Sequence, residues 1–240
     1  MSRDPNTDHP AIVMYSLNAN DVCNGHPDTI AHMTTPEQMK AYSLSTMKYL
    51  DTRLPKGSFV IVTGMFDFRV LYELMANRIH PLGQYNHDVT YKHVYDFLLC
   101  LQVSPCNGWM SSNETLRNST WERASNLSKA LQEVVQNNTF MNFKAYYMDY
   151  DFGAGYDIRT DYDIRRDYDI RRVIKEWEDM GGEGWQLFEP VDGVHPNQNA
   201  NYMTARHVWK QLETKYPEII GKVNPYNDAI YKQFGDQGGY

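Results

Sequence analysis

Phe59-Val60-Ile61-Val62-Thr63-Gly64 is the stretch that decides the architecture of this chain. It is an apolar, β-branched run closed by glycine and set off upstream by Pro55 and Gly57, so it reads as a strand. Working outward, Thr34 and Thr35 before Pro36 and Glu37 supply a helix start, and Met39, Tyr42, Met47, Leu50 and Leu54 recur as its apolar face. Further upstream, Ala11 to Leu17 is a second apolar run, read as a buried strand that enters the loop Asn18-Ala19-Asn20-Asp21. Downstream, helices are predicted around Val70 to Met75, from Tyr91 to Leu101 and from Leu116 to Gln136, ahead of Ala145 to Met148 as the third strand. A charged helix from Arg171 to Met180, a short extended segment Trp185 to Phe188 and a last long helix capped by Asn197 or Asn199 complete the order. Ala205, Val208, Trp209, Leu212 and Tyr216 are the expected buried face of that last helix.

Strands alternating with helices imply an α/β fold, a parallel sheet covered on both sides with ligands at the carboxyl ends of the strands. Asn20 and His195 both fall at such ends. Three good strands are fewer than a doubly wound sheet usually has. An open strand edge and a sheet incomplete on its N-terminal side are therefore expected.

The 240 residues are 42% hydrophobic and 13% aromatic, a globular composition with enough apolar matter for one sizeable core. A formal net charge of −7 argues against non-specific attraction to nucleic acid or anionic membrane. No apolar run approaches a transmembrane span, and Met1 to Pro10 is polar, without the hydrophobic region of a signal peptide. Four sequons point the other way, to export, at Asn113, Asn118, Asn126 and Asn137 within one polar segment predicted to be helical and exposed. The alternative for that segment is a solvated Asn- and Ser-rich face that never meets the glycosylation machinery. Cys100 and Cys106 have a spacing that allows a local disulfide at a helix end, leaving Cys23 unpaired; three reduced thiols are the alternative.

Tyr156 to Arg172 repeats Tyr-Asp-Ile-Arg three times with a period of six, which fits neither helix nor strand. Asp157, Asp161, Asp163, Asp167 and Asp169 cancel the charges of Arg159, Arg165, Arg166, Arg171 and Arg172, so the repeat reads as a surface insertion without chemistry.

Chemistry concentrates in Glu189-Pro190-Val191-Asp192-Gly193-Val194-His195-Pro196-Asn197. An Asp three residues ahead of a His is how one class of serine esterases builds its base: the carboxylate orients the imidazole, which takes the proton from a serine hydroxyl. No Gly-Asp-Ser and no Gly-x-Ser-x-Gly elbow accompanies it among the 240 residues. His80, His87 and His93 lack companion Glu or Cys at zinc-site spacing and read as hydrogen-bonded or solvated. Nothing around Cys23 marks it as a nucleophile.

Asn20-Asp21 after a strand, with Asp192-x-x-His195 near the end, resembles the third and fifth sequence blocks of the GDSL/SGNH hydrolases. More specific are Asn-Asp-Val-Cys at 20–23, Asn-Arg-Ile-His-Pro at 77–81, Cys-Leu-Gln-Val-Ser-Pro-Cys-Asn-Gly-Trp at 100–109, Glu-Pro-Val-Asp-Gly at 189–193 and Phe-Gly-Asp-Gln-Gly-Gly at 234–239. These runs are similar to secreted lipases of that family that remove secondary acyl chains from the lipid A of lipopolysaccharide. The resemblance implies a flavodoxin-like sheet and makes residues 1–240 the C-terminal part of a single hydrolase domain, with an insertion at about 154–172. It implies His195 as base, Asp192 as its partner and the Asn20 amide as an oxyanion donor. The family's GxND pattern would put glycine where Asn18 stands, which constrains the approach of that loop to the oxyanion.

By the same resemblance the nucleophilic serine, a calcium-binding region and a saposin-like small subunit lie before Met1, and Cys23 pairs with a cysteine there. No cofactor is implied within the chain. The implied substrates are acylated glycolipid or phospholipid, the implied location is secreted or endolysosomal, and the chain alone is expected to be inactive. The alternative reading is a secreted glycoprotein that binds acylated glycolipids but has lost catalysis.

Overall fold

The computed structural model describes residues 3–149 and 170–236. Its elements run β1 (Ile12–Tyr15), α1 (Pro36–Asp51), β2 (Ser58–Thr63), α2 (Arg69–Met75), α3 (Tyr91–Cys100), α4 (Glu114–Asn137), β3 (Phe143–Met148), α5 (Ile170–Asp179), α6 (Gln198–Lys215), α7 (Pro217–Ile220) and α8 (Asn227–Phe234). The three strands form one parallel sheet in the order β1-β2-β3, with Tyr15 opposite Val62 and Val62 opposite Tyr147. Alternation along β2 divides the packing. Val60 and Val62 point into the larger core, which also holds Met39, Met47, Leu50, Leu127 and Leu131 from α1 and α4. Ile61 points the other way, into a smaller cluster with Met148, Leu212 and Ile219 beneath α6 and α7. The result is an α/β sandwich with helices on both faces of an open parallel sheet.

Local signals set most boundaries. The Thr35 hydroxyl accepts from the Gln38 N–H while the Gln38 side chain accepts from the Thr35 N–H, a reciprocal cap placed ahead of Pro36 at the first helical position. Asn197 caps α6 by accepting from the Asn199 and Ala200 N–H groups, which settles the choice between Asn197 and Asn199.

Several expectations are corrected. β1 is not buried on both faces: Ile12 and Met14 are 54% and 50% exposed, because the helices covering the Ile61 face lie over β2 and β3 and leave β1 bare on that side. Trp185 to Phe188 is a 3-10 turn over Gly184–Leu187 rather than an extended segment. The buried face of α6 is Ala200, Met203, Gln211 and Leu212, and Trp209 is exposed, its indole N–H donating to Glu213. On α1, Ser43 takes the buried place expected of Tyr42. The sequon-bearing α4 is not exposed throughout, since Trp121, Ala124, Leu127 and Leu131 bury one face in the core. The Tyr-Asp-Ile-Arg repeat lies outside the described residues apart from Ile170, Arg171 and Arg172, which open α5.

The cysteine pairing is also corrected. The disulfide joins Cys23 to Cys106 across 83 positions, and Cys100 is free and exposed at the end of α3. After α3 the chain turns through Gln102, at φ 57°, and lays residues 104–107 along residues 24–26. There the Asn107 N–H donates to the Asn24 carbonyl at 2.9 Å and its side chain to the His26 carbonyl at 2.8 Å. Long-range backbone pairing, invisible in a spacing of six residues, brings Cys106 to Cys23 and removes the expected need for a partner outside the chain. No helix among the described residues is long and apolar enough to cross a membrane.

Candidate active site

The segment from Phe188 to Pro196 is closed on itself before anything else touches it. Phe188 and Pro196 form an antiparallel bridge, the Glu189 N–H donates to the His195 carbonyl at 2.8 Å, and the Gly193 N–H donates to the Glu189 carbonyl at 2.8 Å. Asn197 fixes the base of the loop by donating from its side chain to the Gln186 carbonyl while capping α6. At the apex Gly193 has φ +65°, and a Cβ there would lie 2.5 Å from the Tyr95 hydroxyl and 2.8 Å from the Tyr91 ring. Only glycine meets both the backbone and the space requirement.

Within this frame Asp192 is satisfied from three sides. Oδ1 accepts from the backbone N–H groups of Val194 at 2.8 Å and His195 at 3.0 Å, and Oδ2 lies 2.7 Å from His195 Nδ1. Burial of the carboxyl raises its pKa, but the two backbone donors and the imidazole outweigh that, and Asp192 is held below the usual carboxylate range. An ionised Asp192 can only accept, so Nδ1 carries a proton, and in the neutral imidazole the lone pair is then on Nε2. The His195 side chain is 73% exposed, open to whatever proton donor approaches.

Elements remote in sequence hold the loop. The Tyr91 hydroxyl donates to the Pro190 carbonyl at 2.5 Å and the Tyr95 hydroxyl to the Gly193 carbonyl at 3.4 Å. His80, buried, accepts from the Leu82 N–H at Nδ1 and therefore donates from Nε2 to the Val191 carbonyl at 2.8 Å. Burial pushes the Tyr95 phenol far up, with Tyr91 and Asp192 adding to the shift, so it stays a neutral donor. Sequence reasoning missed Tyr91, Tyr95 and Gly193 as positioning residues and left His80 as merely hydrogen-bonded. The i, i+4 spacing of the tyrosines on α3 was a usable signal, but it says only that they share a face.

Asn20 sits in the 3-10 turn Asn18–Asp21 beyond the carboxyl end of β1, exposed, its amide without a hydrogen-bond partner among the described residues. Its neighbour Asn18, in the glycine position of the family pattern, is buried and donates to the Thr63 carbonyl at 3.2 Å, fastening the turn to the end of β2. Asp21 continues the fastening, accepting from the Thr34 N–H at 2.9 Å and the Thr34 hydroxyl at 2.7 Å. No hydrogen bond among the described residues links Asn20 to Asp192 or His195.

The parallel sheet, the carboxylate–imidazole pair after its last strand and the Asn-Asp turn after its first define a class. Residues 1–208 match the GDSL-like lipase/acylhydrolase family, and the chain belongs to it. Along its whole length the chain is also similar to acyloxyacyl hydrolase. It is 46% identical to that of Mus musculus and 46% to that of Homo sapiens over 240 residues, and 44% identical to that of Oryctolagus cuniculus over 241. Each alignment takes in 100% of this chain and 39% of the relative.

The calcium implied by family resemblance is expected outside these 240 residues, so the donors found here do not bear on it. The one cluster of metal-ligating side chains among the described residues is His26, Asp28 and His32, with two imidazoles and one carboxylate.

Proposed function

We propose that this chain is the base-bearing part of a secreted ester hydrolase of the acyloxyacyl hydrolase type, acting on the secondary fatty acyl chains of lipid A. The observation that carries the reading is the 2.7 Å contact between Asp192 Oδ2 and His195 Nδ1, in a chain of this family. His195 Nε2 takes the proton of a serine hydroxyl supplied by chain outside these 240 residues. The serine oxygen attacks the ester carbonyl, and the Asn20 amide with backbone donors holds the oxyanion. Protonated at Nε2, His195 then gives that proton to the leaving alkoxide, and a water activated in the same way resolves the acyl-enzyme.

Alone, the 240-residue protein turns nothing over, because it contains no Gly-Asp-Ser or Gly-x-Ser-x-Gly. Its partners are acylated glycolipid or phospholipid and a saposin-like small subunit. A secreted or endolysosomal location is supported by the intrachain disulfide and by sequons whose amide nitrogens are not committed. Asn113 caps α4 and Asn118 accepts from Arg69 Nη1, each through Oδ1, leaving Nδ2 for sugar. Mass spectrometry of protein from a secretory host is expected to find sugar at Asn113 and Asn118, and occupancy at Asn126 or Asn137 is read in the same spectra.

The test compares ester hydrolysis by the 240-residue protein with that by the full-length protein, each with and without His195→Ala. The expected result is no turnover by the short form and a loss on the order of 10³-fold or more in the long one. Robust turnover by the short form, abolished by His195→Ala, would overturn the division of labour. A full-length protein that binds multiply acylated glycolipid without hydrolysing it would replace catalysis by the binding-only reading.

A further inference from the structure

Between the disulfide and α1, three exposed side chains of one short segment lie together. His26, Asp28 and His32 each offer one ligand atom, and all three atoms lie within 4.8 Å of one another. His32 Nδ1 is 3.1 Å from Asp28 Oδ1, and the imidazoles of His26 and His32 stack with centroids 3.8 Å apart and planes 9° from parallel.

Their backbone is held independently of any ligand. The Asn24 side chain donates to the Thr29 carbonyl and accepts from the His26 N–H. The Asn107 side chain donates to the His26 carbonyl beside the Cys23–Cys106 bridge, and the Ala31 N–H donates to the Asp28 carbonyl at 3.0 Å. Asp28 stands at the N-cap of the turn Thr29–His32, yet its carboxylate makes no capping hydrogen bond; its contact is the one at 3.1 Å to His32 Nδ1.

We propose that His26, Asp28 and His32 form a binding site for a divalent first-row transition ion, with zinc the best match. Two neutral imidazoles and a carboxylate are borderline donors that suit zinc and lack the oxygens that calcium or magnesium requires. Zinc bonds of 2.0–2.1 Å place tetrahedral donors about 3.4 Å apart, so donor atoms now within 4.8 Å of one another close by up to about 1.4 Å. The two imidazoles, whose in-plane lone pairs cannot meet at one ion while they are stacked, rotate out of the stack about their exposed side-chain torsions. Three protein ligands leave a fourth position to water. The ion ties the loop at His26 to the turn at His32, bracing the segment that follows the Asn18–Asp21 turn. The site's existence does not depend on the proposed hydrolase reaction.

Zinc chloride is titrated by calorimetry into the tag-free 240-residue protein carrying Cys100→Ser, which removes the one exposed thiol as a competing ligand. One ion per chain is expected, with affinity weakened at least about tenfold in each of His26→Asn, Asp28→Asn and His32→Gln. His87→Asn is the control; it replaces an exposed histidine with a residue that tolerates its φ of 56° and is expected to leave affinity unchanged. Circular dichroism confirms that each variant is folded. Cobalt in place of zinc is expected to give visible absorption bands that disappear in the three site variants. Absence of binding at tenfold molar excess of zinc, or affinity the same in the site variants as in their parent, would overturn the assignment.

Discussion

The two turns that carry the candidate chemistry are built in opposite ways. The Asp192–His195 loop closes through its own backbone, saturates its carboxylate and is then clamped from outside by Tyr91, Tyr95 and His80. The Asn18–Asp21 turn is fastened through the residues on either side of Asn20, by Asn18 to β2 and by Asp21 to Thr34, while the Asn20 amide engages nothing among the described residues. A base must have its tautomer fixed before substrate arrives, and that requires a partner within the fold. An oxyanion donor must keep its N–H groups uncommitted until charge develops, so an unengaged amide on a braced turn is the arrangement that role demands.

The contrast breaks most deeply at the disulfide. Cys23→Ser is expected to cost about 4 kcal/mol, because the bridge closes a long loop in the unfolded chain. Urea unfolding measures the loss. Hydrogen exchange is expected to speed up at residues 18–34 and 104–110 while the amides of 189–197 keep their protection; equal loosening of both regions would erase the distinction drawn here.

Next in size is Gly193→Ala, expected to destabilise by about 2–3 kcal/mol through its positive φ and the overlap with Tyr91 and Tyr95. The affected amides should be those of the dyad loop, leaving the Asn20 turn intact. Asp192→Asn sharpens the comparison through pH. The carboxyl's folded pKa lies below its ordinary 3.8, so its stabilisation is present above the unfolded value and is lost as pH falls through the folded one. The variant is expected to be about 1–2 kcal/mol less stable at neutral pH, with the gap closing in acid. A gap independent of pH in urea midpoints would show that ionisation of Asp192 contributes nothing. Smallest of all is Cys100→Ser, expected to change stability by less than about 0.5 kcal/mol because the thiol is exposed and unpaired.

Much of this was legible beforehand because it is written locally. Thr35, Pro36 and Gln38 start α1 through contacts within one turn, and the apolar run at Phe59 to Thr63 is buried along most of its length. Asp192 and His195 are three residues apart, so their pairing needed only a loop to form. The errors fall where a residue's surroundings come from elsewhere in the chain. Trp209 matched a helical stripe, but which stripe is buried depends on where α6 docks. Ile12 and Met14 belong to an apolar run, yet the helices stop short of β1.

Sequence by itself determined the alternation of strands and helices, the start of α1 at Thr35, and the pairing of Asp192 with His195, since each rests on side chains and backbone a few residues apart. Tertiary structure alone decided that Cys23 meets Cys106, that α3 and His80 grip the dyad loop, and that Asn18 fastens its turn to β2. Those contacts join positions 45 to 111 residues apart. Their formation depends on chain closure and packing of the whole core, which no local pattern encodes.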